Sequence, residues 1–129
     1  MTQPHALIID DNARNLSVLA LLLREQGVEA TPIVNPKQID AILGAEEQVD
    51  LIFLDLELPG MSGYDVFDRL RTDERFGSVP VIAYTVHSNE IARAQQLGFD
   101  SFIGKPLDPD KFPDQLARIL KGEPVWERS

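Results

Sequence analysis

The chain contains no cysteine among its 129 residues, which excludes disulfides, thiolate zinc sites, iron–sulfur clusters and cysteine nucleophiles. Histidine is nearly as scarce: His5 and His87 are too few for a histidine-rich metal site. Positive charge is in deficit as well. Twelve Lys and Arg stand against twenty-one Asp and Glu, a formal net charge of -9. Such a surface repels a phosphate backbone, so direct nucleic-acid binding is not expected. No apolar run approaches the roughly 18 residues of a membrane span. Residues 1–5 carry neither the basic nor the apolar region of a signal peptide, so a cytoplasmic location is expected and a membrane association is not. What remains is 43% hydrophobic content in one domain's length of chain, enough for a single packed core.

That content is arranged in two alternating periods. Ala6-Leu7-Ile8-Ile9-Asp10 is a short apolar run, too short for a helix and suited to a strand buried on both faces. Residues 12–26 carry Leu16, Leu19, Leu22 and Leu23 at helical spacing, and Gly27 stops that helix. Residues 28–34 read as a second strand, and Asn35-Pro36 as the cap and first position of a weak helix reaching about Glu46. Asp50-Leu51-Ile52-Phe53-Leu54-Asp55 is the strongest strand signal. Residues 58–63 read as a loop and 64–72 as a helix. Residues 79–83 give a fourth strand, Ser88 caps a helix ending at Gly98, and residues 99–104 give a fifth strand. Asp108-Pro109 repeats the cap-plus-proline signature before a last helix lined by Phe112, Leu116, Ile119 and Leu120. Five β-α units imply an α/β fold, a parallel sheet covered by helices on both faces. Right-handed crossovers favour the flavodoxin-like strand order 2-1-3-4-5.

In such a sheet, ligands bind outside the carboxyl ends of the strands. Asp10 and Asp11 end the first strand, Asp55 the third, while Thr85 follows the fourth and Lys105 the fifth. The strand order gathers all five at one edge. Three clustered carboxylates repel one another and call for a cation, and an all-oxygen set suits Mg²⁺ or Mn²⁺. A hydroxyl, an ammonium and a divalent cation together bind a phosphoryl group, and a carboxylate attacking phosphorus forms an acyl phosphate. Asp or Lys at any one of these positions would by itself be an ordinary cap or surface residue; the combination is what carries the reading.

Asp10-Asp11, Asp55 with Leu58-Pro59-Gly60-Met61-Ser62-Gly63 behind it, Thr85, and Lys105-Pro106 together resemble the receiver domain of two-component response regulators. The resemblance covers a core of about residues 5–121, leaving a short tail at 122–129 in a single domain 1–129. It implies that Asp55 is the phospho-acceptor, served by a sensor histidine kinase or a histidine phosphotransfer protein. It implies Mg²⁺ bound by Asp11 directly, by Asp10 largely through water, by Asp55, and by the main-chain carbonyl of Glu57. Lys105 would pair with phosphoryl oxygens. Thr85 would move onto the phosphoryl group, with Phe102, three residues before the lysine, swinging inward behind it. Pro106 is expected to be cis. The output would be a downstream protein target or a homodimer, docked on the face made by the fourth helix, fifth strand and fifth helix, where Arg93, Gln96, Asp100 and Arg118 are offered. The domain would be a signalling module that catalyses its own phosphorylation and dephosphorylation, not a turnover enzyme.

Three candidate modulators stand near the acceptor. Glu57 lies two residues after Asp55, where its side chain either overhangs the phosphoryl group or is a solvated loop acid. Val86 takes the place of the smaller residue usual after the threonine and would narrow access. His87 reads first as an exposed loop histidine. Met61 and Gly63 are read as structural. Trp126 either folds back on its own domain, packs in a dimer, or stands exposed. The main alternative function is a phosphohydrolase of the haloacid dehalogenase type, whose acid pair is similar to Asp55-Leu56-Glu57, although that nucleophile normally ends the first strand.

Overall fold

In the computed structural model, residues 3–35, 38, 41, 48–58 and 60–127 are described, except the side chains of Met61 and Ser88. The weak helix expected over residues 36–46 lies outside the described residues except at positions 38 and 41. The elements run β1 (His5–Ile9), α1 (Ala13–Glu25), β2 (Glu29–Ile33), β3 (Leu51–Asp55), β4 (Glu57–Leu58), β5 (Met61–Ser62) and α2 (Gly63–Thr72). They continue as β6 (Val81–Thr85), α3 (Ile91–Leu97), β7 (Ser101–Gly104), α4 (Phe112–Leu120) and β8 (Trp126–Glu127).

The main sheet has the order β2-β1-β3-β6-β7-β8, every neighbour pair parallel. It is the expected five-strand order with a sixth strand added at the far edge. β3 and β6 are buried at every position, which explains their unbroken apolar runs. Alternate side chains feed two cores. Leu7, Ile9, Ile52, Leu54, Ala83 and Phe102 meet Val66, Phe67 and Leu70 of α2 on one face. Ala6, Ile8, Phe53, Tyr84 and Ile103 meet Leu16, Leu19 and Leu23 of α1 and Phe112 and Leu116 of α4 on the other. Each fully buried side chain of this size contributes about 1.5–3 kcal/mol of transfer free energy.

Several local expectations shift. The loop at 58–63 holds a small antiparallel pairing of β4 with β5. Ser62 then caps α2, its Oγ accepting from the Tyr64 N–H at 3.1 Å. The helix after Ser88 opens as a single 3-10 turn, Ser88–Glu90, before α3 begins. The strand expected over residues 99–104, β7, starts at Ser101 rather than Phe99, because Phe99 turns into the core and stacks on Phe67 at 3.9 Å between ring centres. The cap-plus-proline pair at Asp108 makes a turn ahead of the helix. The Asp108 carbonyl accepts from the N–H groups of Lys111 and Phe112, and α4 proper starts at Phe112.

The tail is part of the fold. The Phe102 N–H donates to the Val125 carbonyl at 2.7 Å, and the Val125 N–H donates to Ser101 Oγ at 3.0 Å. Val125 is fully buried, Trp126 packs on the core that contains Phe102, and Glu127 accepts from Gln115 and Arg118 of α4. Trp126 therefore folds back on its own domain. β7 is consequently not the sheet edge; β8 is.

Candidate phosphoryl-accepting site

β1 and β3 are neighbours and β6 separates β3 from β7; Asp10 just after β1, Asp55 at the end of β3 and Lys105 just after β7 meet on the face covered by α1 and α4. Asp10 follows β1 and is fully buried; Asp55 ends β3 at 4% exposure; Asp11 is exposed. The two buried acids are held in the same way. Asp10 Oδ1 accepts from the Asn12 N–H at 3.0 Å, and Asp55 Oδ1 accepts from the Glu57 N–H at 3.0 Å. Each carboxylate thus spends one oxygen on the backbone two residues ahead and turns the other inward. Asn12 also starts α1, because its Oδ1 accepts from the Asn15 N–H.

Lys105 lies between the two inward oxygens, its Nζ 2.9 Å from Asp10 Oδ2 and 3.4 Å from Asp55 Oδ2. Its backbone N–H donates to the Thr85 carbonyl at 2.9 Å, which aligns β7 with β6, and the Lys105–Pro106 bond is cis. Burial opposes the Asp10 charge, but the Asn12 N–H, Lys105 and Tyr84 outweigh it and hold Asp10 below the ordinary carboxylate range. Burial dominates at Asp55, and with the neighbouring Asp10 charge it pushes Asp55 up to about 6 against the pull of the Glu57 N–H and Lys105. The pair is strained electrostatically, with one cation shared between two buried acids.

Asp10, Asp11 and Asp55 each offer a carboxylate oxygen, all within 4.8 Å of one another. Three oxygen donors around an under-compensated negative charge fit a hard divalent cation such as Mg²⁺.

Gly63 holds the floor of the site. A Cβ there would lie 2.5 Å from the Asp55 carbonyl oxygen and 2.5 Å from Leu56 Cα, both backbone. The start of α2 is thereby pressed against the end of β3, with the Gly63 N–H donating to the Leu56 carbonyl at 3.1 Å. Its use is close approach; the positive φ in this loop belongs to Gly60.

Thr85 and Phe102 lie on the opposite face of the sheet from the acids. Thr85 is buried and its Oγ1 accepts from the His87 N–H at 3.2 Å; Phe102 is fully buried, turned inward. Glu57 and His87 are exposed at their tips but touch each other, the His87 Nε2 against Glu57 Oε1. His87 is therefore not a lone loop residue, and Glu57 is not merely solvated. Together they link the loop after β3 to the loop after β6. Val86 is 61% exposed and lines a groove with Arg14, Val18, Lys105 and Leu107.

Sequence reasoning missed Tyr84. It is the register partner of Asp55, so it shares the face of the acids, and its hydroxyl donates to Asp10 Oδ2 at 2.8 Å. Period-two alternation along β6 carried the signal, since a tyrosine in a buried strand needs a partner for its hydroxyl. On the proposed output face, Asp100 is taken by Arg71 and by the Val81 N–H, and Arg118 by Asp114 and Glu127. Arg93 lies over the Tyr64 ring at 4.2 Å. Among the described residues, no helix is long and apolar enough to cross a membrane.

Comparison with known proteins agrees with this geometry. The two-component response regulator ORR5 of Oryza sativa subsp. japonica is 28% identical over 120 residues, covering 92% of this chain and 90% of its own. The phosphate regulon transcriptional regulatory protein PhoB of Pseudomonas aeruginosa is 33% identical over 117 residues; the match covers 89% of this chain and 51% of PhoB. The chemotaxis response regulator CheY4 of Vibrio cholerae superposes with a TM-score of 0.81 at 19% identity, over 92% of this chain and 99% of that one, a likeness of fold. The family profile described as response regulator receiver domain matches residues 6–117, and the chain belongs to that family, a signalling domain of two-component systems.

Proposed function

We propose that the domain accepts a phosphoryl group on Asp55 from a phosphohistidine of a sensor kinase or phosphotransfer protein. The observation that carries this is Asp55 itself: a buried strand-end carboxylate within 4.8 Å of two further acids and 3.4 Å from an ammonium. An Asp55 oxygen attacks phosphorus as the phosphorus–nitrogen bond breaks, and that electron pair returns to the donor imidazole. Lys105 then leaves its bridge between the acids to pair with a phosphoryl oxygen. Asp10, Asp11, Asp55 and the Glu57 carbonyl would hold a Mg²⁺ ion, which would supply charge neutralisation at the phosphoryl oxygens. Water attacking phosphorus later restores the carboxylate and releases phosphate.

Thr85 turns from the His87 N–H to the new phosphoryl oxygen; Phe102, expected to swing inward behind it, is already fully buried and keeps that place. The phosphoryl group favours one of two existing states, and the change is read on the surface of α3, β7 and α4, now including β8, by a protein partner or a second copy. The Glu57–His87 contact joins the segments that follow β3 and β6, and Val86 lines a groove beside Lys105; these three residues would set the access of water and donors.

The test is intact mass after incubation with acetyl phosphate, with Mg²⁺ and with chelator. One added phosphoryl group that requires Mg²⁺ supports the reading; no added mass rejects it. Many turnovers on small phosphate esters would favour the dehalogenase-type phosphohydrolase instead. Asp55 ends the third strand along the chain, not the first, which speaks for the receiver reading.

A further inference from the structure

We propose that Tyr84 is a positioning residue of this site, holding the Asp10 carboxylate and the Lys105 ammonium in the arrangement that a divalent cation and a phosphoryl oxygen need. The inference rests on the phosphoryl-accepting reading above and deepens it.

The residue makes both contacts at once. Its hydroxyl donates to Asp10 Oδ2 at 2.8 Å, and its ring lies 4.3 Å from Lys105 Nζ. The ring itself is fixed. Tyr84 is 1% exposed and stands edge-on to Phe53, with ring centres 6.2 Å apart at 88°, and Phe53 packs in turn on Phe112 of α4. Pairing with Asp55 in the sheet register sets it one strand away from the acceptor.

A packing role alone would be met by phenylalanine or leucine. A buried hydroxyl is costly without a partner, and here the partner is an acid of the cation cluster. Asp10 Oδ2 receives donors from both Tyr84 and Lys105, while Oδ1 receives the Asn12 N–H. Without the tyrosine hydroxyl, the inward oxygen depends on a flexible lysine that must leave when a phosphoryl group arrives. The hydroxyl does not leave. It keeps the Asp10 oxygens oriented while Lys105 moves, and the ring gives the ammonium an attractive wall along which to move. Donors behind a ligating carboxylate typically change metal affinity by about 10–100-fold.

The experiment compares Mg²⁺ affinity of the unphosphorylated protein, by titration calorimetry, between wild type and Tyr84→Phe. The variant keeps the ring and drops the hydroxyl. A loss of about tenfold or more in affinity is expected; equal or tighter binding overturns the proposal. A second measurement leaves Tyr84 in place and does not depend on the folding of Tyr84→Phe. In Tyr64→Phe protein, Tyr84 is the sole tyrosine, and its ring NMR signals should shift as Mg²⁺ saturates. Signals that stay put at saturation overturn the proposal too. If wild type takes no phosphoryl group from acetyl phosphate and Mg²⁺, the functional reading falls and the proposal with it. If wild type is labelled while Tyr84→Phe binds Mg²⁺ normally, the proposal falls alone.

Discussion

Replacing Asp55 with Asn should make the cation-free protein more stable near neutral pH, although the replaced residue is the proposed acceptor. Asp55 is pushed up to about 6 from its ordinary 3.8, chiefly by burial and further by Asp10. A carboxyl whose folded value lies above its unfolded value holds its proton better in the native state. Its contribution to stability is therefore complete below about pH 4, erodes as pH rises, and is lost above about pH 6. About two pH units correspond to about 3 kcal/mol at most. Asn is nearly isosteric and can still accept from the Glu57 N–H, but it forfeits part of the attraction to Lys105, so a net gain of about 1–3 kcal/mol is expected. For a chain of this size that is a rise of roughly 3–12 °C in Tm. Asp10 has the opposite sign: its lowered value stabilises the fold above about pH 4 and is lost only as pH falls further. The two effects therefore occupy separate windows. Urea unfolding of wild type and Asp55→Asn in chelator, at several values between about pH 4 and 8, resolves them. The curves should converge near pH 4 and separate above pH 6. No separation at neutral pH, or one that persists unchanged at pH 4, would refute the electrostatic reasoning.

Asp11→Ala should leave cation-free stability nearly unchanged, because Asp11 is exposed, yet abolish the rise in Tm that Mg²⁺ gives wild type; survival of that rise would move the cation elsewhere. Gly63→Ala should destabilise by more than about 2 kcal/mol in urea unfolding, since its Cβ meets immovable backbone at 2.5 Å. Deleting residues 123–129 should cost about 2–4 kcal/mol by exposing Val125's pocket and unpairing β7, measured by the same unfolding. Val86→Ala should speed both uptake from acetyl phosphate and loss of the phosphoryl group, up to about tenfold or about 1.4 kcal/mol in the barrier; unchanged rates would reduce Val86 to a groove residue.

Much of the architecture was legible because the central strands are buried on both faces. Runs such as Leu51-Ile52-Phe53-Leu54 cannot be surface strands, and their alternation with leucine-spaced helices leaves few topologies. The convergence of Asp10, Asp11, Asp55 and Lys105 followed from strand order and from the rule that ligands gather at strand carboxyl ends. What escaped was set by tertiary contact. β8 is two residues long and has no periodicity to read; it exists because the β7 edge offers backbone partners and α4 offers Gln115 and Arg118 to Glu127. Glu57 and His87 lie thirty positions apart, and only the packing of two loops brings them together. Tyr84 was hidden for a different reason: in an apolar strand it looks like core, and its hydroxyl gains meaning only once the register sets it beside Asp55.

The central claim is that Asp55 carries the phosphoryl group as an acyl phosphate. The most direct measurement is to treat wild type with acetyl phosphate and Mg²⁺, reduce with borohydride, and map the product by peptide mass. An acyl phosphate on Asp55 is converted to homoserine at that position, and the account predicts this change there alone and its absence without Mg²⁺. Reduction at Asp10 or Asp11, or a phosphoryl group on a residue that borohydride leaves intact, would contradict it.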